Sequence, residues 1–132
     1  MVGIVRSARP AAVLSVLALA GFGAPGRAAP PAPAVTATVV MTEWSVVIAP
    51  RTIPAGKATI LVRNVGRQTH AVEIENDAAS TEIEGDELAP GQSETLVVHL
   101  TPGQWVVDCS MVSPSARGSH ALRGMSTTLV VK

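Results

Sequence analysis

Residues 92–109 read QSETLVVHLTPGQWVVDC and hold two stretches in which apolar and polar side chains alternate. In a β-strand, successive side chains face opposite sides of the sheet, so a period of two predicts strands rather than helices. We therefore predict strands over Glu94–Leu100 and Gln104–Cys109, joined at Pro102-Gly103, a pair typical of tight turns. The second strand then points the thiol of its last residue inward.

The same period of two continues through the chain from Val35 onward. It predicts five further strands, at Val35–Thr42, Trp44–Ala49, Lys57–Asn64, His70–Glu75 and Met125–Val131. No window shows the apolar stripe of an amphipathic helix. Seven short strands in about 100 residues predict an all-β fold, a seven-stranded antiparallel Greek-key β-sandwich. Its two long connections are predicted at Asn76–Ala89 and Ser110–Gly124.

The composition excludes several classes of protein. The chain has 132 residues, enough for one domain, and its ten basic and ten acidic side chains cancel, which argues against nucleic-acid binding. Two tryptophans and one phenylalanine cannot supply the stacking platforms of single-strand binders. A single cysteine excludes an internal disulfide, an all-thiolate iron–sulfur site and a dinuclear copper centre with two thiolates. Three histidines are too few for a multicopper oxidase or nitrite reductase, so no enzyme is expected.

The N-terminus carries the features of a secretory signal. Arg6 and Arg9 precede an apolar run, Ala11–Ala20, and small residues follow up to Ala28. This order predicts a bacterial signal peptide cleaved near Ala28 and a protein that is periplasmic or secreted. A retained N-terminal membrane anchor is the alternative, and otherwise no membrane span is expected. The predicted organisation is a signal peptide over 1–28, an Ala/Pro leader over 29–34 and a domain over 35–132.

Two side chains with metal-binding chemistry, His70 and Cys109, point inward by strand parity. His120 follows in the next loop, and Met125 begins the last strand. One thiolate, two imidazoles and one thioether are the donors of a blue-copper electron-transfer site, in which the methionine is a weak axial ligand. The lone thiol supports this interpretation, because an unpaired cysteine is unusual outside the cytoplasm. The third histidine, His99, falls on the outer face of its strand and is expected to bind no metal.

Five short motifs punctuate the predicted strands. They are Ile53-Pro54-Ala55-Gly56-Lys57, Asn64-Val65-Gly66-Arg67-Gln68-Thr69-His70, Leu88-Ala89-Pro90-Gly91-Gln92-Ser93, Thr101-Pro102-Gly103-Gln104-Trp105 and Ser119-His120-Ala121-Leu122-Arg123-Gly124-Met125. Together with Cys109 they resemble the cupredoxin family, the small blue-copper proteins that include plastocyanin, azurin and sulfocyanin-like proteins. The resemblance covers about Val35 to Lys132 and implies one type 1 copper ion bound by His70, Cys109, His120 and Met125. It also implies that His120 is the exposed ligand through which electrons leave.

Two features depart from the family pattern. Ten residues, Ser110–Ser119, separate the cysteine from the second histidine, where the family usually has a short spacer. This long loop leaves Met111 as an alternative to Met125 for the axial thioether. Ala71 follows the first ligand where plastocyanin-like and azurin-like members commonly carry Asn. Its side chain cannot hydrogen-bond near the thiolate, so we expect an altered redox potential.

Electron carriers dock weakly and briefly through small surfaces. Apolar side chains and two arginines, Arg117 and Arg123, surround His120, so we predict that transient redox partners dock there on a monomer. The acidic run from Glu73 to Glu87 is interpreted as a solvated face. Two other functions stay open, copper binding and delivery without electron transfer, and a metal-free interaction sandwich. A long mobile loop would favour delivery, whereas a closed site would favour redox work.

Overall fold

The computed structural model describes residues 34–113 and 118–132, which lie in the unit Ala32–Lys132. The predicted signal peptide and nearly all of the Ala/Pro leader fall outside the described residues. Within the described ranges no helix is long and apolar enough to cross a membrane. This part of the chain is instead built from β-strands, together with two short 3-10 turns at Asp77–Ala79 and Ala121–Arg123.

Eleven strands are present in the described residues. They are β1 (Ala37–Thr42), β2 (Ser45–Ala49), β3 (Thr52–Ile53), β4 (Gly56–Asn64), β5 (Val72–Asn76), β6 (Thr81–Glu84), β7 (Ser93–Leu100), β8 (Gly103–Cys109), β9 (Val112–Ser113), β10 (Gly118–Ser119) and β11 (Ser126–Val131). One sheet has the order β2-β1-β4-β7, and the other has the order β3-β11-β8-β5-β6. Strands β9 and β10 form a separate two-stranded ribbon.

The predicted all-β sandwich is confirmed, and its seven strands correspond to β1, β2, β4, β5, β7, β8 and β11. Four additional short strands lie in segments that were predicted as turns or connections. The prediction of purely antiparallel sheets is wrong, because β1 pairs with β4 and β11 pairs with β3 in parallel. The reason is the path of the chain. After β2 it passes through β3 in the other sheet, and it returns to the first sheet as β4, running in the same direction as β1.

Inward side chains of the two sheets form the apolar core. In β8, Trp105, Val107 and Cys109 are buried, as strand parity predicts. The indole Nε1 of Trp105 donates to the carbonyl of Thr101 at 3.0 Å, so burying the large ring leaves its polar group satisfied. His99 in β7 is exposed on the outer face, also as predicted. The inner face of β8 therefore ends at Cys109, where the candidate ligands meet.

Candidate metal centre

His70 is held in place by the backbone and by the loop that precedes it. Its N–H donates to the carbonyl of Leu88 at 3.1 Å, and its own carbonyl accepts from the N–H of Leu88 at 2.8 Å. The buried amide of Asn64 donates to the carbonyls of Gln68 at 2.7 Å and Leu88 at 2.8 Å. Its Oδ1 accepts from the N–H of Gly66 at 2.9 Å. Asn64 therefore shapes the loop that delivers His70 to the start of β5.

Cys109 is the last residue of β8 and is fully buried. It pairs with Val72 of β5, which places it near His70. Its N–H donates to the carbonyl of Met125 at 3.1 Å, and the N–H of Met125 lies 3.2 Å from the carbonyl of His120. Met125 is also fully buried. Segments that are far apart in the sequence are thus joined by main-chain hydrogen bonds at one end of the sandwich.

The ten residues after Cys109 are partly taken up by the β9–β10 ribbon. In this ribbon Gly118 pairs with Ser113 and Ser119 pairs with Val112. At its base the N–H of His120 donates to the carbonyl of Met111 at 2.9 Å. The ribbon therefore returns His120 to a point beside Met111, two residues after the cysteine. The long spacer therefore does not separate the second histidine from the cysteine.

The ligand atoms of three side chains lie close together, those of His70, Cys109 and His120. The two Nδ1 atoms are 3.2 Å apart, and the Cys109 Sγ lies 3.7 Å from Nδ1 of His70 and 3.6 Å from Nδ1 of His120. A point equidistant from the three atoms is about 2.0 Å from each, close to the lengths of metal–nitrogen and metal–sulfur bonds. All three residues are buried. The donor set and its spacing therefore fit a single metal ion.

The other ring nitrogen of His70 is also engaged. Its Nε2 lies 3.1 Å from Oε1 of Glu43. Because a carboxylate accepts, Nε2 carries the proton and Nδ1 keeps a lone pair, which faces the centre. The same oxygen accepts from the N–H groups of Arg67 at 2.7 Å and Gln68 at 2.8 Å. Burial raises the pKa of Glu43, but these hydrogen bonds together outweigh it and hold the pKa at about 2.

Burial raises the pKa of the Cys109 thiol above its ordinary value, backbone hydrogen bonds from Ala71 and Met111 lower it, and the charge of Asp108 raises it. A bound metal ion would displace the thiol proton, since the thiolate is the form of cysteine that binds metals. Ala71 therefore contributes a main-chain hydrogen bond to the sulfur, although its side chain has no polar group.

The Nε2 side of the His120 ring is held by packing rather than by a hydrogen bond within the described residues. Its Nε2 is buried and has no hydrogen-bond partner within the described part of the chain. The Trp44 ring meets the imidazole edge-on, with centroids 5.0 Å apart, and the guanidinium of Arg123 lies 3.5 Å from the centroid of the Trp44 ring. Burial lowers the pKa of His120, and the nearby His70 and Arg123 lower it further.

Known structures share this architecture, although no family model and no curated protein matches the chain. Reduced auracyanin from the photosynthetic bacterium Roseiflexus castenholzii aligns with a TM-score of 0.56 and 21% identity, over 72% of this chain and 94% of that one. A copper-containing nitrite reductase from Thermus scotoductus aligns with a TM-score of 0.52 and 21% identity, over 86% of this chain and 26% of that one. A purple cupredoxin from Nitrosopumilus maritimus gives a TM-score of 0.48 and 17% identity, over 72% and 98%. The domain has a cupredoxin fold.

The resemblance to cupredoxins drawn from the sequence motifs is thereby confirmed at the level of the fold. The cupredoxin fold and the converging histidine, cysteine and histidine donors, with the buried Met125 beside them, support one type 1 copper ion in this domain. The described residues therefore combine a scaffold and a donor set that suit the same metal.

One expectation from the cupredoxin pattern is wrong for this chain. His120 is only 2% exposed, so it is not a surface ligand. The physical reason is the turn between β1 and β2, which brings Trp44 against the imidazole, and Arg123 then packs over the indole. The imidazole of His120 therefore lies beneath a layer formed by Trp44 and Arg123 and is not open to solvent.

Glu43 and Trp44, which contact the two histidines, are the residues that sequence reasoning missed. Glu43 is 27 residues from His70 along the chain, and no spacing motif connects them. The one signal is the parallel register of β1 with β4, which sets Met41 beside Asn64 and so brings the β1–β2 turn to the histidine loop. That register became known only with the structure, because the sequence pattern had predicted antiparallel strands.

Proposed function

We propose that this protein is a non-enzymatic, extracytoplasmic electron carrier with one type 1 copper ion bound by His70, Cys109, His120 and Met125. The observation that carries the proposal is the buried triangle of two Nδ1 atoms and one Sγ, whose sides are 3.2, 3.6 and 3.7 Å. The bound ion supplies the chemistry, a one-electron change between Cu(II) and Cu(I). The side chains that hold the ion fix its position and select its oxidation states.

The donor atoms suit both oxidation states. A thiolate and a thioether are soft ligands that favour Cu(I), whereas imidazoles also accept Cu(II). The main-chain bonds from Cys109 to Met125 and from Met125 to His120 tie three of the ligands together. Since the protein holds the donors in place, little rearrangement accompanies the arrival or departure of an electron. Such a site is suited to fast, reversible electron transfer.

The conformation of the loop argues for electron transfer over copper delivery. Release of the metal would be favoured by a mobile segment between Cys109 and His120. In the structure both ends of this segment are anchored, since Met111 hydrogen-bonds to Cys109 and accepts from the N–H of His120. The close approach of three buried donors likewise argues against a sandwich that works without metal.

We infer that partners dock at the end of the domain that carries His120. There Leu122 is 88% exposed, and Arg123 is exposed next to it. An exposed apolar side chain beside a cation suits weak, brief contact with an acidic or mixed surface. The electron then crosses the layer formed by Trp44, whose ring packs against the imidazole in a T-shaped arrangement. We expect the carrier to act as a monomer.

Location outside the cytoplasm rests on the predicted signal peptide over 1–28. A single buried thiol is consistent with that location, because a metal-bound thiolate within a core is shielded from the oxidants of such a compartment. Mass spectrometry of the protein recovered from the periplasm or culture medium tests the prediction, with the mature N-terminus expected near Ala29.

Copper titration of the metal-free full chain tests the function, followed by visible absorption and EPR spectroscopy. We expect one equivalent of Cu(II) to give an intense thiolate-to-copper charge-transfer band. The variant Cys109→Ala should lose this band, whereas His99→Ala, which removes the exposed histidine, should keep it. The bound copper should then cycle reversibly between its two oxidation states in voltammetry.

Two results would overturn the proposal. Stoichiometric copper with only weak visible absorption would indicate an open site and would favour copper delivery. Absence of stoichiometric binding by the folded protein would leave a metal-free interaction sandwich.

A further inference from the structure

The turn between β1 and β2 contacts both histidines of the centre. Thr42 pairs with Ser45 across this turn, which leaves Glu43 and Trp44 at its tip. Glu43 reaches Nε2 of His70 at 3.1 Å, and the next residue, Trp44, meets the ring of His120 edge-on. Two adjacent residues that lie outside every motif of the sequence therefore touch the two imidazoles in different ways.

Glu43 is held firmly in this position. Its Oε1 accepts from the N–H groups of Arg67 and Gln68 as well as from His70. Both main-chain donors belong to the loop that leads to His70, so the carboxylate and the imidazole are fastened to the same segment. Hydrogen bonds from main-chain N–H groups favour the ionised carboxylate over the neutral acid. Glu43 is thus an oriented negative charge, unlike a mobile surface acid.

Two glycines provide the space in which the turn lies. A Cβ at Gly66 would overlap the carboxylate of Glu43, and a Cβ at Gly124 would lie 3.0 Å from the carbonyl oxygen of Trp44. The end of the Glu43 side chain can move, so a methyl group at position 66 would shift the carboxylate while leaving its charge in the protein. Gly66 therefore offers a way to separate the position of the charge from its presence.

We propose that Glu43 is a positioning residue for the copper site, which fixes the ring of His70 with Nδ1 toward the metal and favours Cu(II) over Cu(I). The proposal rests on the proposed function. By accepting the Nε2 proton, the carboxylate leaves the lone pair on Nδ1, the atom that faces Cys109 and His120. Its negative charge attracts the doubly charged ion more strongly than the singly charged one.

The first test needs no copper. In the metal-free protein, ¹⁵N NMR of the His70 ring reports which nitrogen carries the proton. We expect the Nε2–H form in the native protein and a mixture of both forms in Glu43→Ala. Glu43→Gln retains a carbonyl oxygen that can accept the same proton, so we expect it to rescue the Nε2–H form in part. Rescue by the conservative variant would not follow from a purely electrostatic role.

The second test compares the binding of Cu(II) and Cu(I). We expect Glu43→Ala to lower Cu(II) affinity about 10–100-fold, the range typical of lost partners to metal-bound histidine. In Glu43→Gln we expect the ratio of Cu(II) to Cu(I) affinity to fall about tenfold, which corresponds to a rise in reduction potential of about 59 mV. Gly66→Ala displaces the carboxylate, so we expect it to act as Glu43→Ala does. It should give a mixture of the two His70 tautomers and lower the Cu(II) affinity.

Glu94→Ala is the matched control. Glu94 also holds a loop, since its Oε2 accepts from the N–H of Asp86 at 3.1 Å, but it contacts neither histidine. The control should leave the His70 tautomer and the affinity ratio unchanged. The proposal would be overturned if His70 kept a pure Nε2–H form in both Glu43→Ala and Gly66→Ala, or if the affinity ratio in Glu43→Gln matched the native value. If the native protein bound no copper, the NMR arm would still decide whether Glu43 orients His70.

Discussion

The two histidines of the centre are held by different physical means. The main chain of each is hydrogen-bonded, that of His70 to Leu88 and that of His120 to Met111 and Met125, but the ring of His70 is also fixed by the carboxylate of Glu43. His120 has a ring nitrogen without a partner in the described residues, and the ring is confined by the packing of Trp44. Hydrogen bonds set direction and lose strength quickly with displacement, whereas packing sets position and permits small rotations. One side of the site is thus directional and the other adjustable.

This difference teaches where the site can respond to a partner. The His70 side lies under a loop whose polar groups are engaged through Asn64 and Glu43. The His120 side lies under Trp44 and Arg123, close to the exposed Leu122. A protein that touches this side can shift the cover without breaking a hydrogen bond to a ligand ring.

The largest expected effect on stability comes from Asn64→Ala, which removes the amide that holds the loop beside His70. It removes the three hydrogen bonds that the amide makes with the carbonyls of Gln68 and Leu88 and the N–H of Gly66, although the Leu88 carbonyl keeps the N–H of His70. Because each lost hydrogen bond costs on the order of 1 kcal/mol, we expect the free energy of unfolding to fall by about 2–4 kcal/mol, with weaker copper binding. Urea denaturation of the metal-free protein measures the first effect and copper titration the second.

Asn76→Ala is the control for that substitution. Asn76 is also buried, but its Oδ1 accepts only the N–H of Ala79 among the bonds described, in a turn away from the ligands. We expect a loss of about 1 kcal/mol with no change in copper affinity. Equal effects of the two substitutions on copper binding would contradict the role given to Asn64.

The next effect tests the adjustable side with Trp44→Ala. Removing the indole uncovers His120 and loses the contact with Arg123, so we expect a loss of about 2 kcal/mol in unfolding free energy. Stopped-flow reduction of the Cu(II) protein by a small hydrophilic reductant should become faster, since the imidazole is then nearer to solvent. Trp44→Phe keeps an aromatic cover and should stay close to the native rate. A slower reaction in Trp44→Ala would mean that the ring conducts rather than covers.

A leucine substitution at each methionine tests which of them supplies the axial thioether, with a smaller expected effect on stability. Met125 is fully buried, whereas Met111 is only partly buried at the base of the ribbon. Leucine has a similar volume, so each methionine-to-leucine change should alter the unfolding free energy by less than about 1.5 kcal/mol. We expect Met125→Leu to shift the reduction potential and the visible spectrum, and Met111→Leu to leave both unchanged. The opposite pattern would assign the axial thioether to Met111.

The smallest expected change in stability comes from replacing Glu73, which lies on the outer face of β5. Burial raises the pKa of Glu73, and repulsion from Asp108 and other acidic neighbours raises it further. The folded state therefore disfavours the charged form, so the resulting loss of stability is absent at low pH and develops as the pH rises through the raised pKa. Glu73→Gln should stabilise the protein by about 0.5 kcal/mol at neutral pH. Denaturation at acidic pH should show no such gain.

Strand positions and inward residues could be predicted because they follow local periodicity. The burial of Trp105, Val107 and Cys109 required only the alternation of side chains along β8. The convergence of His70, Cys109 and His120 could also be predicted, since strand parity and a suitable donor set point to one end of the sandwich. These inferences depend on chemistry that lies within a few residues of each ligand.

The remaining features depend on contacts between distant segments. Whether β4 pairs with β1 in parallel is decided by the path of the chain between the sheets, which leaves no periodic signal. The burial of His120 depends on Trp44, which is far from it in sequence and lies in a short turn of ordinary composition. The exposure of a loop residue is set by whatever packs over it, so a family pattern alone misjudged it.

The hydrogen bond between Met111 and His120 has a consequence for how such a protein can diversify. The ribbon is closed at its base by this bond and by the pairing of Val112 with Ser119. The entropic penalty of a longer loop grows only slowly with its length. Sequence changes in the β9–β10 ribbon that keep these bonds are therefore expected to leave His120 in its place beside Met111.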